Sequence, residues 1–513
     1  MWKLEPLSRG ADSSAVGSSA SRVGRNTLLY GVSFLLQRAA GFVMLPVYTR
    51  YLHPSDYATA QLLGMSQDVA SILLSAGVTA GVGRFYFKAT TDAERHAVVV
   101  AALGLLALFN ALGAVLLAVA APWVAGRLLE DAALVPLVYL VSWSFVLDAA
   151  VTIPTLYMQM TERAGLYVLA SLTRLALQLG LNVTLIVGYG EGVRGILWAT
   201  LGMYLVMVPP CLLWLVRQVG FRTRWSAVKD LWRFGLPYRV TEAGNFILTY
   251  ADRYFLVPTW GKTVTGVYAL AYQFGFLTGY VGVVPFHMAW NPQRFQLANE
   301  APEKRNPALQ AGLHAFSAVV LTVGVGVSIY TDSVLLLLGA TAYADAARLV
   351  PVIVLAYVLQ GYKEHVEFAI HVSEETRAAT VATWLSVVAI LGLYATLIPP
   401  YGALGAAWAT AIAFGVRLVA FAVAAHRLWP IPYRLGPTLR LAGYAVTAVV
   451  AYQWLAAGAL LERFLTGTAI VLVYFVAMTF GGVFDATARG TIFGLIRRRL
   501  ARTPEPATAE GPR

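Results

Sequence analysis

Two related stretches decide the fold of this chain: residues 184–200 read TLIVGYGEGVRGILWAT, and residues 396–410 read TLIPPYGALGAAWAT. Thr-Leu-Ile, Tyr-Gly, a later glycine and Trp-Ala-Thr recur in the same order, with one gap of two residues. Upstream, Thr-Glu-Arg at 161–163 parallels Glu-Thr-Arg at 375–377. The alternative is chance similarity between apolar helices rich in glycine and alanine. Matched Trp-Ala-Thr positions favour an internal repeat with an offset of about 210 residues.

The composition around these stretches is that of a polytopic membrane protein. Of 513 residues, 58% are hydrophobic and 12% are charged, and the mean hydropathy is +0.66. An average soluble domain is about a quarter charged. The composition therefore excludes an ordinary soluble enzyme, a disordered chain and a nucleic-acid-binding module. The single cysteine, Cys211, excludes a disulfide framework within the chain.

The hydropathy pattern predicts an all-α integral membrane protein with about 14 transmembrane helices, since about 20 mainly apolar residues span a bilayer. The predicted helices are 27–47, 59–81, 97–120, 134–158, 164–187, 195–216, 236–257, 264–288, 311–330, 349–371, 378–398, 402–425, 441–460 and 467–483. The repeat offset equals six helices, so the two copies have parallel topology, related by an axis along the membrane normal. This predicts two six-helix lobes that rock about a site near the midplane, as in alternating access.

The domain organisation follows from this map. We expect a mobile cytoplasmic tail (1–26), an N-lobe (27–216), a cytoplasmic linker (217–235) and a C-lobe (236–425), then helices 13 and 14 (439–487) and a basic cytoplasmic tail (488–513). With the N-terminus inside, the cytoplasmic segments hold 26 Lys and Arg and the external loops hold 6. That bias predicts that both termini are cytoplasmic in a bacterial inner membrane. The linker is either an amphipathic interfacial helix that binds anionic lipids, with Trp225, Leu231 and Trp232 near one face, or a solvated basic segment.

Ionisable residues inside predicted spans are costly, so they usually face a cavity or a partner. Arg38 lies mid-helix with no acidic residue within a turn, and an arginine can bind a phosphate through two nitrogens. The candidates for binding an anionic pyrophosphate or glycan are Arg38, Arg174, Arg239, Lys363 and Arg417. The candidates for coupling to H⁺ or Na⁺ are Asp148, Glu242, Glu364 and Glu367. Each could instead form a structural ion pair, as Lys363 and Glu367 could at a spacing of four residues.

No catalytic, metal or nucleotide-binding motif is present in the sequence. It lacks GxxxxGK[ST], HExxH and CxxC, and GEGVRG at 190–195 lies between two apolar helices and not after a strand, as a Rossmann GxGxxG does, so we expect no enzyme activity, no ATP-driven pumping and no cofactor beyond the coupling ion. Without ATP, the energy for transport must come from an ion gradient or from the substrate's own gradient.

Several segments carry a resemblance to a known family. Residues 50–63 (RYLHPSDYATAQLL), the FGLP segment at 234–237, the DRYF segment at 252–255 and VYALAY at 267–272 resemble the Wzx-type polysaccharide-transport flippases. These belong to the multidrug/oligosaccharidyl-lipid/polysaccharide (MOP) superfamily. Ala58 departs from the family's pattern, which has glycine there.

The resemblance implies a MATE-like fold and a flippase function. Such proteins move polyprenyl-diphosphate-linked oligosaccharide to the outer leaflet for O-antigen, capsule or exopolysaccharide assembly. It also implies a cationic cavity, a polysaccharide polymerase as a candidate partner and a monomer. The alternatives are another MOP transporter, namely a flippase for a lipid-linked peptidoglycan precursor or a cation-coupled multidrug exporter, and a membrane polymerase or glycosyltransferase. The last class should show a sizeable catalytic loop, and this sequence has none.

Overall fold

The computed structural model describes residues 41–75, 77–373 and 375–482 of the chain. Within these ranges the chain is helical and contains no strand. Arg38, most of the predicted first helix, both predicted tails and residues 483–487 of the last predicted helix lie outside the described residues.

The first half of the described chain forms seven helices joined by short turns. They are α1 (Leu45–Tyr51), α2 (Pro54–Leu74), α3 (Val78–Lys88), α4 (Asp92–Val119), α5 (Val135–Met160), α6 (Ala164–Val183) and α7 (Gly192–Val219). Short helical turns follow α4 at Ala121–Trp123, Val124–Leu128 and Ala132–Leu134, and a π-helical turn, Thr184–Gly188, extends α6. Local capping sets several starts. Thr91 Oγ1, for example, accepts a hydrogen bond from the Glu94 amide (3.3 Å) at the start of α4.

The second half contains nine further helices. They are α8 (Trp225–Tyr250), α9 (Asp252–Leu277), α10 (Val284–Leu297), α11 (Pro302–Leu337), α12 (Ala346–Val366), α13 (Phe368–Val372), α14 (Thr376–Leu428), α15 (Gly436–Leu455) and α16 (Leu460–Phe480). A π-helical turn, Thr278–Val283, joins α9 to α10, and a short 3₁₀ turn, Thr341–Tyr343, precedes α12.

The chain reverses direction inside α9 and inside α14. Gly261 (φ 75°) and Gly402 (φ 58°) have backbone angles that favour glycine and break the helix. Tyr394 and Thr410 are 16 residues apart, yet their hydroxyl oxygens are 3.1 Å from each other. A straight helix would separate them by about 24 Å. Each long element is therefore a hairpin, and we call the parts of α14 before and after Gly402 its first and second limbs.

The described residues contain nine helical segments long and apolar enough to cross a membrane, or ten if α2 and α3 are one bent span. Two of these nine, Arg239–Leu297 and Arg377–Leu428, include the hairpins at Gly261 and Gly402. The prediction of an all-helical, multi-pass membrane protein is confirmed, whereas the count of fourteen spans is not confirmed. The predicted helices at 378–398 and 402–425 correspond to the two limbs of α14.

The repeat is visible in how the helices pack. In the first half, α5 contacts α7 through a hydrogen bond from the Tyr204 hydroxyl to Asp148 (2.8 Å). In the second half, α12 contacts the second limb of α14 through Arg417 and Gln360 (3.3 Å). These helices correspond under the six-helix offset. We call residues 41–219 the first unit and residues 225–428 the second unit.

The two units touch along α2 and α9. A Cβ atom at Gly266 would meet the carbonyl oxygen of Pro54, so the two backbones are in direct contact there. The hydroxyl of Tyr343 donates to the carbonyl oxygen of Leu52 (3.1 Å) beside that contact. We call this end of the bundle, which also carries the turns at Gly261 and Gly402, the hairpin end.

The segment predicted as a linker belongs partly to α8. This helix begins at Trp225 and runs without interruption to Tyr250. Leu231 is fully buried against α3, while Trp225 is 79% exposed. The start of α8 therefore joins the second unit to helices of the first unit at the end opposite the hairpin end.

Candidate functional site

The main polar cavity lies within the second unit and has a volume of about 760 Å³. Its walls come from α8, α9, the π-helical turn after it, α12 and both limbs of α14. Its polar lining residues are Thr241, Glu242, Asn245, Thr249, Gln360, Lys363, Glu364, Glu367, His371, Thr380, Thr383 and Arg417. Phe276, Tyr280, Tyr357 and Phe414 add aromatic surface. This mixture is typical of a small-molecule or headgroup site.

Arg417 is the most distinctive charge in the cavity. Its side chain comes from the second limb of α14 and is only 6% exposed. Nη2 donates to Oδ1 of Asn245 (2.9 Å), and Nη1 donates to Oε1 of Gln360 (3.3 Å). Among the described residues, no carboxylate lies within 4 Å of the guanidinium. Neutral amides thus orient Arg417 without cancelling its charge, which leaves it able to bind an anion.

Lys363 and Glu367 form a buried ion pair across one turn of α12. Nζ of Lys363 lies 2.8 Å from Oε2 of Glu367, and their side chains are 7% and 23% exposed. This is the structural pairing that the spacing of four residues allowed. The ammonium also lies 5.1 Å from the ring centre of Phe421. Glu367 holds Lys363 at the cavity wall and offsets part of its charge, so Lys363 presents less positive charge to the cavity than Arg417 does.

The cavity has almost balanced charge. Lys363 and Arg417 oppose Glu242, Glu364 and Glu367, so the described lining has a formal net charge of −1 with histidine neutral. The strongly cationic cavity implied by the family resemblance is not what these side chains form. Positive charge is instead concentrated at one residue, Arg417, whose partners are neutral.

Three of the predicted site residues lie elsewhere. Arg239 stacks on Trp232 (4.3 Å) and Phe109 (5.2 Å) between α8 and α4, and it is not part of the cavity lining. Arg174 and Asp148 lie in the first unit, where both approach the hydroxyl of Tyr204 at 3.4 and 2.8 Å.

Arg174 also lines a separate pocket of about 210 Å³ between helices of the first unit. The structure therefore brings together Lys363, Arg417, Glu242, Glu364 and Glu367, and separates them from the other described candidates. Arg38 lies outside the described residues.

The sequence analysis missed the neutral members of the site. Asn245 and Gln360 orient Arg417, and His287 lies with Nδ1 3.6 Å from Oε2 of Glu364. A search for polar residues inside predicted spans would have flagged all three, but only packing shows that they meet. In the described part of the chain, no group of His, Cys, Asp and Glu could hold a metal ion.

A second buried charge cluster closes the hairpin end. Arg253 Nη1 lies 2.8 Å from Oδ1 of Asp252, and both side chains are almost fully buried. The hydroxyl of Tyr268 donates to the other oxygen of Asp252 (2.6 Å), and the guanidinium lies 4.2 Å from the ring centre of Tyr272. Every charge here has a partner, which is the pattern of a structural clasp across the α9 hairpin.

Residues 23–297, more than half of the chain, match the model of a protein family described as polysaccharide biosynthesis protein. The chain belongs to the polysaccharide biosynthesis protein family. This confirms the family suggested by the resemblance. No curated protein sequence matches this family member.

Solved structures share the fold of this polysaccharide biosynthesis protein. The lipid II flippase MurJ, in an inward closed conformation, is 13% identical with a TM-score of 0.67, covering 93% of this chain and 100% of its own. An inward-facing multidrug-resistance MATE family transporter of the MOP superfamily is 15% identical (TM-score 0.55; 77% and 95% covered). A MOP superfamily transporter from Pyrococcus furiosus Vc1 is 14% identical (TM-score 0.52; 78% and 95% covered). At these identities the likeness shows the fold alone: a MOP-type helical bundle.

Proposed function

We propose that this protein flips a polyprenyl-diphosphate-linked oligosaccharide across the cytoplasmic membrane by alternating access, for assembly of O-antigen, capsule or exopolysaccharide. Membership of the polysaccharide biosynthesis family and the MOP-type fold support this reading. The observation that carries it is Arg417, a buried arginine whose partners are neutral amides, on the wall of a polar cavity of about 760 Å³. A dianionic diphosphate is a substrate group that such an uncancelled charge suits.

The cavity offers contacts for each part of the headgroup. Arg417 would bind a diphosphate oxygen, and Lys363 would add a second cation from the adjacent wall of α12. Asn245, Thr249 and Thr383 present amide and hydroxyl groups that can hydrogen-bond a sugar. The polyprenyl chain would remain in the lipid, because apolar chains gain nothing by entering a polar cavity.

Two features of the packing would support a rocking motion. The units touch through backbone at the hairpin end, where Gly266 meets Pro54. At the opposite end, the start of α8 joins the two units. Ala251 alone separates the end of α8 at Tyr250 from the start of α9 at Asp252. Separation at one end with closure at the other is the expected geometry of alternating access.

The remaining features of the proposal come from the sequence. The 26:6 distribution of Lys and Arg supports cytoplasmic termini. No ATP-binding motif is present, so we propose that H⁺ or Na⁺ supplies the energy, with Glu242, Glu364 and Glu367 as carriers in this cavity. We further propose a monomer that contacts anionic lipids through the start of α8 and passes its product to a polysaccharide polymerase.

One observation favours a second candidate, a cation-coupled multidrug exporter. Three carboxylates on the cavity wall outnumber two basic side chains, and a cationic drug would be attracted to that excess. A flippase for a lipid-linked peptidoglycan precursor is the other MOP alternative. It would carry the same diphosphate, so its substrate differs only in the group attached to that diphosphate.

Proteoliposomes test the proposal directly. The protein is reconstituted with a fluorescent polyprenyl-diphosphate-linked trisaccharide, and the fraction protected from an added glycosidase is followed over time. We expect faster loss of protection with the protein than in protein-free vesicles, and the rate of Arg417→Ala should fall towards the protein-free rate. Equal rates with and without protein, together with uptake of ethidium, would replace the flippase reading with the exporter.

A further inference from the structure

His287 lies directly behind the cavity wall. It belongs to the first turn of α10, its side chain is 8% exposed, and its Nδ1 is 3.6 Å from Oε2 of Glu364. Neither ring nitrogen has a hydrogen-bond partner among the described residues. Glu364 itself lines the cavity and is 38% exposed. A buried imidazole thus faces a carboxylate that contacts the contents of the cavity.

The groups around His287 are mostly aromatic or uncharged. Phe316 of α11 stacks on its ring at 5.1 Å between ring centres, and His365 of α12 lies at 5.9 Å. On the same helix as His287, Arg294 donates from Nη1 to the carbonyl oxygen of His365 (3.4 Å). Beyond this shell, Tyr362 packs on Phe316, and Tyr433 from the segment before α15 lies 6.4 Å from His365. Lys363 of α12 is paired with Glu367. Glu364 is therefore the carboxylate closest to His287.

A chain of hydrogen bonds links Glu364 to the anion-binding arginine. Nε2 of Gln360 donates to Oε1 of Glu364 (3.3 Å), and Oε1 of the same amide accepts from Nη1 of Arg417 (3.3 Å). The order is therefore His287, Glu364, Gln360 and Arg417. A change of charge at His287 reaches Arg417 across one carboxylate and one amide.

We propose that His287 and Glu364 bind a proton together with the anionic substrate, so that protonation raises the affinity of the cavity for a diphosphate. The inference rests on the proposed function and concerns substrate binding alone, because a proton that moves outward with the substrate draws no energy from an inward proton gradient. A proton taken from water in the cavity binds Nδ1 of His287 and returns to water on release, with no other bond made or broken.

The charge balance gives the direction of the effect. With His287 neutral, the lining has a formal net charge of −1, and Glu364 repels a diphosphate. With His287 protonated, the imidazolium offsets Glu364, and the formal net charge of the lining together with His287 rises from −1 to 0. Because the two ligands favour each other, substrate binding should also promote proton uptake. Because protonation raises the affinity, the affinity should fall as the pH rises.

The test measures the binding of farnesyl-diphospho-N-acetylglucosamine to the full chain in lipid nanodiscs. Its diphosphate is a diester, so its charge does not change across the assay range. Between about pH 5.5 and 8, the dissociation constant of the wild type should rise about tenfold. His287→Gln should bind at all pH values as the wild type does at the highest. His314→Gln, at a partly buried α11 histidine bonded to Gln310, is the matched control and should keep the wild-type profile.

Two further variants keep the outcome decisive. Glu364→Gln should raise the affinity at the highest pH towards the wild-type value at the lowest, even if His287→Gln does not fold. His371 also lines the cavity, so His371→Gln is measured in parallel. A flat profile in His371→Gln with an unchanged profile in His287→Gln would overturn the proposal, as would a flat wild-type profile. No binding by the wild type at any pH would refute the proposed function as well.

Discussion

Replacing Arg417 with alanine should remove most of the affinity for a diphosphate substrate. A guanidinium about 4 Å from a phosphate oxygen gains about 4 kcal/mol at an effective dielectric constant of ~20. Substrate binding weakens the bonds from Arg417 to Asn245 and Gln360, and hydrogen bonds of this charged kind are worth about 1.5–3 kcal/mol each. If half of the total for the two bonds is returned, the net loss is about 1–2.5 kcal/mol, or about 5- to 70-fold in dissociation constant.

Binding assays with farnesyl-diphospho-N-acetylglucosamine in nanodiscs measure this loss. Arg417→Lys keeps the charge but loses the second nitrogen, so we expect a loss of about 1 kcal/mol. Arg348→Ala is the control, because Arg348 is exposed at the hairpin end and far from the cavity. A threefold or smaller loss in Arg417→Ala, with the melting temperature unchanged, would refute the role of Arg417 as the anion-binding residue.

Three further variants test the packing. Arg253→Ala should lower the free energy of unfolding by about 3–5 kcal/mol, because Asp252 would be left buried without its partner. Thermal unfolding in detergent measures this loss, and a loss below about 1 kcal/mol would contradict the expectation. Gly266→Ala should cost about 1–3 kcal/mol by forcing its Cβ against Pro54, whereas alanine at the open position Gly326 should cost little. Lys363→Ala should lower the melting temperature, and Lys363→Ala with Glu367→Ala should recover part of it; no recovery would argue against a stabilising pair.

Much of the fold follows from hydropathy alone. The predicted helices ending at 257 and starting at 264 lie on either side of Gly261, and the predicted helix starting at 402 begins at Gly402; the structure reverses at both glycines. The spacing of apolar residues and the positions of glycines are local features of the chain, so a single sequence is enough to predict the helices and their breaks. The length of α8 was not predicted, because residues 225–235 are polar on one side and packed against α3 on the other.

The site was only partly predictable, since it depends on which side chains meet. The cost of an intramembrane charge singled out Lys363, Glu367 and Arg417 as residues that need a partner or a cavity, and the structure places all three on the wall of one cavity. The same argument also predicted that Arg239 lies in the cavity. In the structure, the guanidinium of Arg239 instead stacks on Trp232 and Phe109. Uncharged Asn245 carries no such cost, so its contact with Arg417 became apparent only from the packing.

The position of the cavity has a consequence for how new specificities could arise. Among the residues that the structure describes, every wall residue comes from the stretch α8 to α14, and none comes from the first unit. Under the proposed function, the residues that select the substrate and the surface against which the second unit moves are therefore encoded in separate stretches of chain. We expect recombination between two such genes near residue 220 to exchange the substrate and to leave the sequence of the first unit unaltered.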